Sequence, residues 1–135
     1  MERIDTDILD MLRATLEHAW APYSGFRVAA VAVAADGRRF AGCNVETAHY
    51  KSVCAEASAL SAMVAGGRTR LSEIYILADG EAPCPPCGDC RQRIREFSDA
   101  GTRIILVDGD GRAAACHSLD ELLPASFGPE LLTRR

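Results

Sequence analysis

A chain of 135 residues, 48% hydrophobic and 25% charged, is long enough to bury one core and too short for two. Its net charge of −4, with Lys51 as the single lysine and no basic run, excludes the clustered positive surface that binds a nucleic-acid polymer. No apolar run approaches the roughly 20 residues that span a bilayer, and Met1-Glu2-Arg3-Ile4-Asp5 lacks the apolar stretch of a signal peptide. The expectation is one cytoplasmic domain over residues 1–135 with no membrane partner, in which six cysteines serve as metal ligands or buried thiols rather than disulfides.

Ile4, Ile8, Met11, Leu12 and Leu16 recur at helical spacing between acidic residues. They predict an amphipathic helix that ends near Ala21, because Pro22 biases its predecessor away from helix. Pro22-Tyr23-Ser24-Gly25 reads as a turn into Phe26. Val28 to Ala35 is small and apolar, Asp36-Gly37 is a hairpin signal, and Arg39 to Val45 returns as a second strand. Cys54 to Ala65 is an alanine-rich helix stopped by Gly66-Gly67. Ile74 to Leu77 is a short strand closed by Asp79-Gly80. Cys87, Cys90, Ile94 and Phe97 share one face of a helix that starts after Pro86. Ile104 to Val107 and Arg112 to Cys116 are strands joined by the turn Asp108-Gly109-Asp110-Gly111. Ser118 and Glu121 have the spacing of a capping box for a last short helix closed by Pro124. The alternation after the hairpin predicts an α/β fold, a three-layer α/β/α sandwich around a five-stranded mixed sheet.

The chemistry concentrates between Cys54 and Cys90. Cys87 and Cys90 are two residues apart, and Cys54 stands upstream with Glu56 two positions on. Three thiolates can hold a zinc ion and leave one tetrahedral position open for water, and a glutamate over that water can move its proton. Both halves fall at predicted helix N-termini, where free N–H groups and the helix dipole favour thiolate. Cys84-Pro85-Pro86-Cys87 offers a competing pair. Its prolines have no N–H to bond a sulfur, whereas Gly88 and Asp89 keep theirs, so Cys87 with Cys90 is the expected pair and Cys84 a spare thiol. Cys43 and Cys116 read as core packing. Asn44 and Glu46 flank Val45 and leave the same face of a strand end, a placement suited to sugar hydroxyls. Read without Glu56, the same cysteines make a structural zinc module.

Pro22-Tyr23-Ser24-Gly25-Phe26-Arg27-Val28, Gly42-Cys43-Asn44-Val45-Glu46, Cys54-Ala55-Glu56, Pro86-Cys87-Gly88-Asp89-Cys90-Arg91-Gln92 and Leu122 to Pro129 together resemble the small cytidine deaminases, in the family's order and over nearly the whole chain. The resemblance implies hydrolytic deamination of cytidine and 2′-deoxycytidine in pyrimidine salvage, with one zinc per chain on Cys54, Cys87 and Cys90 and with Glu56 as proton shuttle. It implies that Phe26 packs on the base, that the Ala55 backbone bonds it, and that Asn44 and Glu46 bind the ribose 3′-hydroxyl. Ala48 and Tyr50 match pocket positions. Phe127 matches an aromatic that closes an adjacent subunit's pocket in a homotetramer. Many family members carry an arginine directly after the glutamate, offsetting thiolate charge. Here that position is Ala57, and Arg91 is the nearest candidate in sequence for the task. Cys54-Ala55-Glu56-Ala57 is also similar to blasticidin-type deaminases, which makes another cytosine nucleoside the alternative substrate.

Overall fold

The computed structural model describes residues 2–132. Helix α1 (Thr6–Leu16) starts at Asp5, whose carboxylate accepts from the N–H groups of Asp7 and Ile8 and so satisfies two of the free donors of the first turn. Strands β1 (Val28–Ala34) and β2 (Arg39–Cys43) form an antiparallel hairpin, with Gly37 at φ 91° in its turn. Helix α2 (Ala55–Ala65) leads to β3 (Leu71–Ala78), and helix α3 (Gly88–Phe97) crosses over to β4 (Arg103–Val107), parallel to β3. Strand β5 (Ala113–Ser118) returns antiparallel to β4, and the short α4 (Leu119–Leu122) opens on the expected capping box of Ser118 and Glu121.

The sheet is mixed, in the order β2-β1-β3-β4-β5. Alternation along β1 divides the core in two. Ala29, Val31 and Val33 pack with Ile8, Leu9 and Leu12 of α1, while Ala30, Ala32 and Ala34 lie in the cluster that holds Leu60 and Met63 of α2 and Ile94 of α3. This is the three-layer α/β/α sandwich expected from the sequence. The alanines on one side of β1 let α2 approach closely. Gly42 in β2 extends that approach, since a Cβ there would stand 2.7 Å from the Ser58 carbonyl carbon. Helix α2 is thus seated on the small residues of the hairpin, the alanines of β1 and Gly42 of β2. Among the described residues no helix is long and apolar enough to cross a membrane.

Two expected boundaries are corrected. Helix α1 stops at Leu16, not near Ala21, and strand β2 stops at Cys43, not Val45. Both corrections have one cause: the N–H of Trp20 donates to the Asn44 carbonyl at 2.9 Å and the N–H of Glu46 to that of Trp20 at 2.8 Å, so the chain leaves the helix through a turn at Glu17 and His18 and Trp20 runs beside Val45 after β2. Val45 then pairs with Val53 through reciprocal 2.9 Å bonds, closing the 46–52 loop. That closure returns the chain to Cys54 beside Asn44.

Candidate active site

Cys54 is the N-cap of α2 and Cys87 the N-cap of α3, and Cys90 sits in the first turn of α3. The two helix starts come from separate crossovers, and the sheet brings them together. The three sulfurs lie within 4.8 Å of one another, with Cys54 Sγ 3.9 Å from Cys87 Sγ. A tetrahedral zinc with bonds of about 2.3 Å sets its sulfurs about 3.8 Å apart, so the thiol donors fit that ion. The N–H of Cys90 donates to Cys87 Sγ at 3.4 Å, the type of bond that the proline-free Cys87–Cys90 segment allows. Cys84 stays outside the sulfur cluster, its thiol directed at the Pro85 carbonyl.

Two of the three thiols, Cys54 and Cys90, do not ionise readily by themselves. Burial pushes Cys54 and Cys90 up, and crowding by neighbouring thiols and Glu56 adds to the rise. At Cys54 and Cys90 the helix starts expected to favour thiolate are outweighed by desolvation, and a divalent cation among the sulfurs reverses that balance. Glu56 is 4% exposed, and its burial raises the carboxyl above the usual range. A carboxyl held this way accepts a proton more readily than an exposed one.

Above the cluster lies a cleft of about 270 Å³ lined by Ser24, Phe26, Val28, Asn44, Glu46, Cys54, Ala55, Glu56, Cys84, Pro85 and Cys87. Cys90 is buried beneath it. Asn44 and Glu46, although past the end of β2, face the same space, and both are engaged with the loop opposite. Asn44 Oδ1 accepts from the N–H of Val28 and its Nδ2 donates to the Phe26 carbonyl, each at 2.9 Å. Glu46 accepts from the N–H groups of Tyr23 and Ser24 and from the Ser24 hydroxyl, which holds its carboxyl below the usual range. Together they hold Phe26, 45% exposed, at the rim.

Ala48, Tyr50 and Phe127 do not line this cleft. Tyr50 projects from the 46–52 loop, 90% exposed and at φ 62°, and Phe127 lies on the tail, where its carbonyl accepts from Gln92 Nε2. Ser24, Val28, Cys84 and Pro85 are lining residues that the sequence reading left without a site role. For Ser24 a signal existed, since a serine before Gly25 is placed to bond its own turn, as its hydroxyl does with the N–H of Phe26. The Arg91 guanidinium donates to the carbonyls of Pro86 at 2.9 Å and Leu122 at 2.8 Å, so it clamps the segment before Cys87 to α4.

Three soft donors at two helix starts, beneath a cleft with one buried carboxyl, define an α/β protein built around a metal centre. The chain belongs to the cytidine and deoxycytidylate deaminase family: residues 3–106 match the family described as "Cytidine and deoxycytidylate deaminase zinc-binding region". It is 36% identical to a cytidine deaminase of Sporosarcina psychrophila over 87% of this chain and 86% of the relative. With a cytidine deaminase of Halalkalibacterium halodurans it shares 38% identity over 84% of this chain and 86% of the relative. The crystal structure of cytidine deaminase from Burkholderia pseudomallei superposes with a TM-score of 0.83 at 35% identity, covering 92% of this chain and 99% of that one.

Proposed function

We propose that this chain is a zinc-dependent cytidine deaminase that hydrolyses cytidine and 2′-deoxycytidine to the uridine nucleosides with release of ammonia, in the cytoplasm, as part of pyrimidine salvage. The observation that carries the reading is the convergence of Cys54, Cys87 and Cys90 beneath a cleft into which the buried Glu56 carboxyl opens. Zinc on those three sulfurs supplies a Lewis acid that makes water nucleophilic near neutral pH. Glu56 takes one proton of the attacking water and delivers it to N3 of the cytosine ring as the water's oxygen adds at C4, and it then moves the remaining hydroxyl proton to the C4 amine, which leaves as ammonia while the C4 carbonyl forms. Its burial supports this role, because each transfer needs a carboxyl that gains and loses a proton at similar cost.

Ala55, 1% exposed and without a side chain to obstruct a flat ring, leaves its backbone to bond the base. Phe26 packs on the ring from the rim. Asn44 and Glu46 receive the sugar's 3′-hydroxyl with the hydrogen-bonding capacity that remains beyond their bonds to the Phe26 loop. Residues 1–135 act as one domain, and the single sheet running through the described residues supports this. The active form is a homotetramer in which Tyr50 and Phe127 of one subunit complete a neighbour's pocket. Their exposure, and that of Trp20 and Tyr23, supports an assembly that covers them. Free thiols as ligands suit a reducing compartment.

Ammonia release from cytidine, deoxycytidine and blasticidin S by zinc-loaded protein tests the reading. Turnover of both nucleosides is the expected result. Turnover of blasticidin S alone keeps the site and replaces the substrate, and turnover of none by folded, zinc-containing protein favours a non-catalytic zinc module.

A further inference from the structure

Three side chains of α3 reach the segment that follows α4. Arg91 donates to the Leu122 carbonyl at 2.8 Å, Gln92 Nε2 to the Phe127 carbonyl at 2.9 Å and Arg95 Nε to the Ser126 hydroxyl at 2.7 Å, while Arg95 NH2 reaches the Glu130 carboxylate at 3.3 Å. Arg91 and Gln92 stand four and three positions before Arg95, so both neighbour it on the helix surface. The Arg95 side chain is 22% exposed, and Gly128 makes room for it. A Cβ at residue 128 would stand 2.5 Å from Arg95 Cζ. Gly128 has φ −145°, open to any residue, so what matters at this position is the missing side chain. None of these bonds uses the Phe127 ring, which is left 52% exposed and outside its own chain's cleft. A tail with little to pack on is ordinarily mobile, and ordering it costs conformational entropy. Bonds on both sides of Phe127 therefore fix its backbone and leave its ring free for another surface.

We propose that Arg95, with Gln92 beside it and the space at Gly128, is a positioning residue for a neighbouring active site: it holds residues 126–130 against α3 so that the Phe127 ring meets the pocket of a second copy of this chain already ordered. The proposal rests on the reading of Phe127 as an aromatic that completes a neighbour's pocket. Helix α3 also carries Cys87 and Cys90, so one helix sets two thiols in its own subunit and the ring offered to the next. A ring ordered in advance spares substrate binding the entropy of fixing it. Arg95 thus acts on binding and not on the proton transfers, and its loss belongs in KM.

The test is steady-state deamination of cytidine by wild type, Phe127→Ala, Arg95→Ala, Gly128→Ala and the Arg95→Ala/Gly128→Ala double variant, with zinc content and sedimentation measured on each sample. Arg95→Ala and Gly128→Ala are each expected to raise KM about tenfold with a much smaller fall in kcat, and to speed amide hydrogen exchange over residues 126–132. The double variant is expected to match the single ones, because a methyl group at residue 128 acts by displacing the guanidinium. Should Arg95→Ala fail to fold, Gly128→Ala carries the same prediction. A raised KM in Phe127→Ala beside wild-type KM in Gly128→Ala overturns the inference and leaves the reading of Phe127 in place. Effects that multiply in the double variant overturn it too, as does loss of the assembly in Gly128→Ala, which assigns the contact to assembly and not to the pocket. Wild-type KM in a tetrameric Phe127→Ala removes the reading of Phe127, and the inference with it.

Discussion

Asn44 and Glu46 use their polar atoms on the protein before any ligand arrives, and in doing so they set the height of Phe26 over the cleft. Asn44→Ala leaves a backbone donor and a backbone acceptor unmade, at a cost of about 1–3 kcal/mol. Urea unfolding is expected to show that loss, and steady-state kinetics a larger rise in KM than fall in kcat, because the ring proposed to pack on the base is no longer held. Behind the same loop, Arg27 donates to Asp79 through its N–H, Nε and NH2 at 2.9, 3.0 and 3.1 Å. The Arg27 guanidinium holds the Asp79 carboxyl below the usual carboxylate range. The folded state therefore binds fewer protons at Asp79 than the unfolded chain does. The pair's contribution is fully present above the unfolded value, about pH 4, and is lost as pH falls through the lower folded value. The gap in urea midpoint between wild type and Asp79→Asn is expected to be widest near neutral pH and to narrow at about pH 3; an equal gap at both contradicts the assignment.

Helix α2 carries Cys54 and Glu56, and its seat on the sheet depends on what the strands lack. A methyl group at Gly42 meets the Ser58 backbone, which cannot swing aside as a side chain can. Gly42→Ala is expected to cost roughly 1–3 kcal/mol and to lower zinc occupancy with it, read by thermal denaturation and metal analysis. The Arg91 clamp is the counterpart for α3. Arg91→Ala removes two bonds that tie Pro86 to α4, and a lower thermal midpoint is the expected outcome. Local signals made α2 and α3 legible in the sequence: alanine content, Gly66-Gly67, and a proline before the first helical turn. The end of α1 was not legible, because Pro22 marks where helix becomes impossible while the Trp20–Asn44 bond, made to a distant segment, ends it sooner. The Arg91 clamp was not legible for the same reason, since one of its acceptors, Leu122, lies 31 residues away.

At the scale of the whole molecule, the sheet's order brings two sequence blocks, Cys54-Ala55-Glu56 and Cys87 to Cys90, to one edge of one cleft. The spacing of thiols and carboxyl carried that much of the site in the sequence. It could not say that Tyr50 and Phe127 lie away from their own chain's cleft, since that depends on where the loop and tail finally rest. The proposed sharing of pockets predicts a tetramer by sedimentation, with Phe127→Ala raising KM while the assembly persists; a fully active monomer contradicts this. The chain's central claim is that one buried carboxyl moves the protons over a three-thiolate zinc. The most direct test is deamination of cytidine by Glu56→Gln, with zinc counted per chain in the same sample. A rate lower by about 10²–10⁴-fold with one zinc retained is the predicted result. Wild-type turnover in the zinc-loaded variant would contradict it.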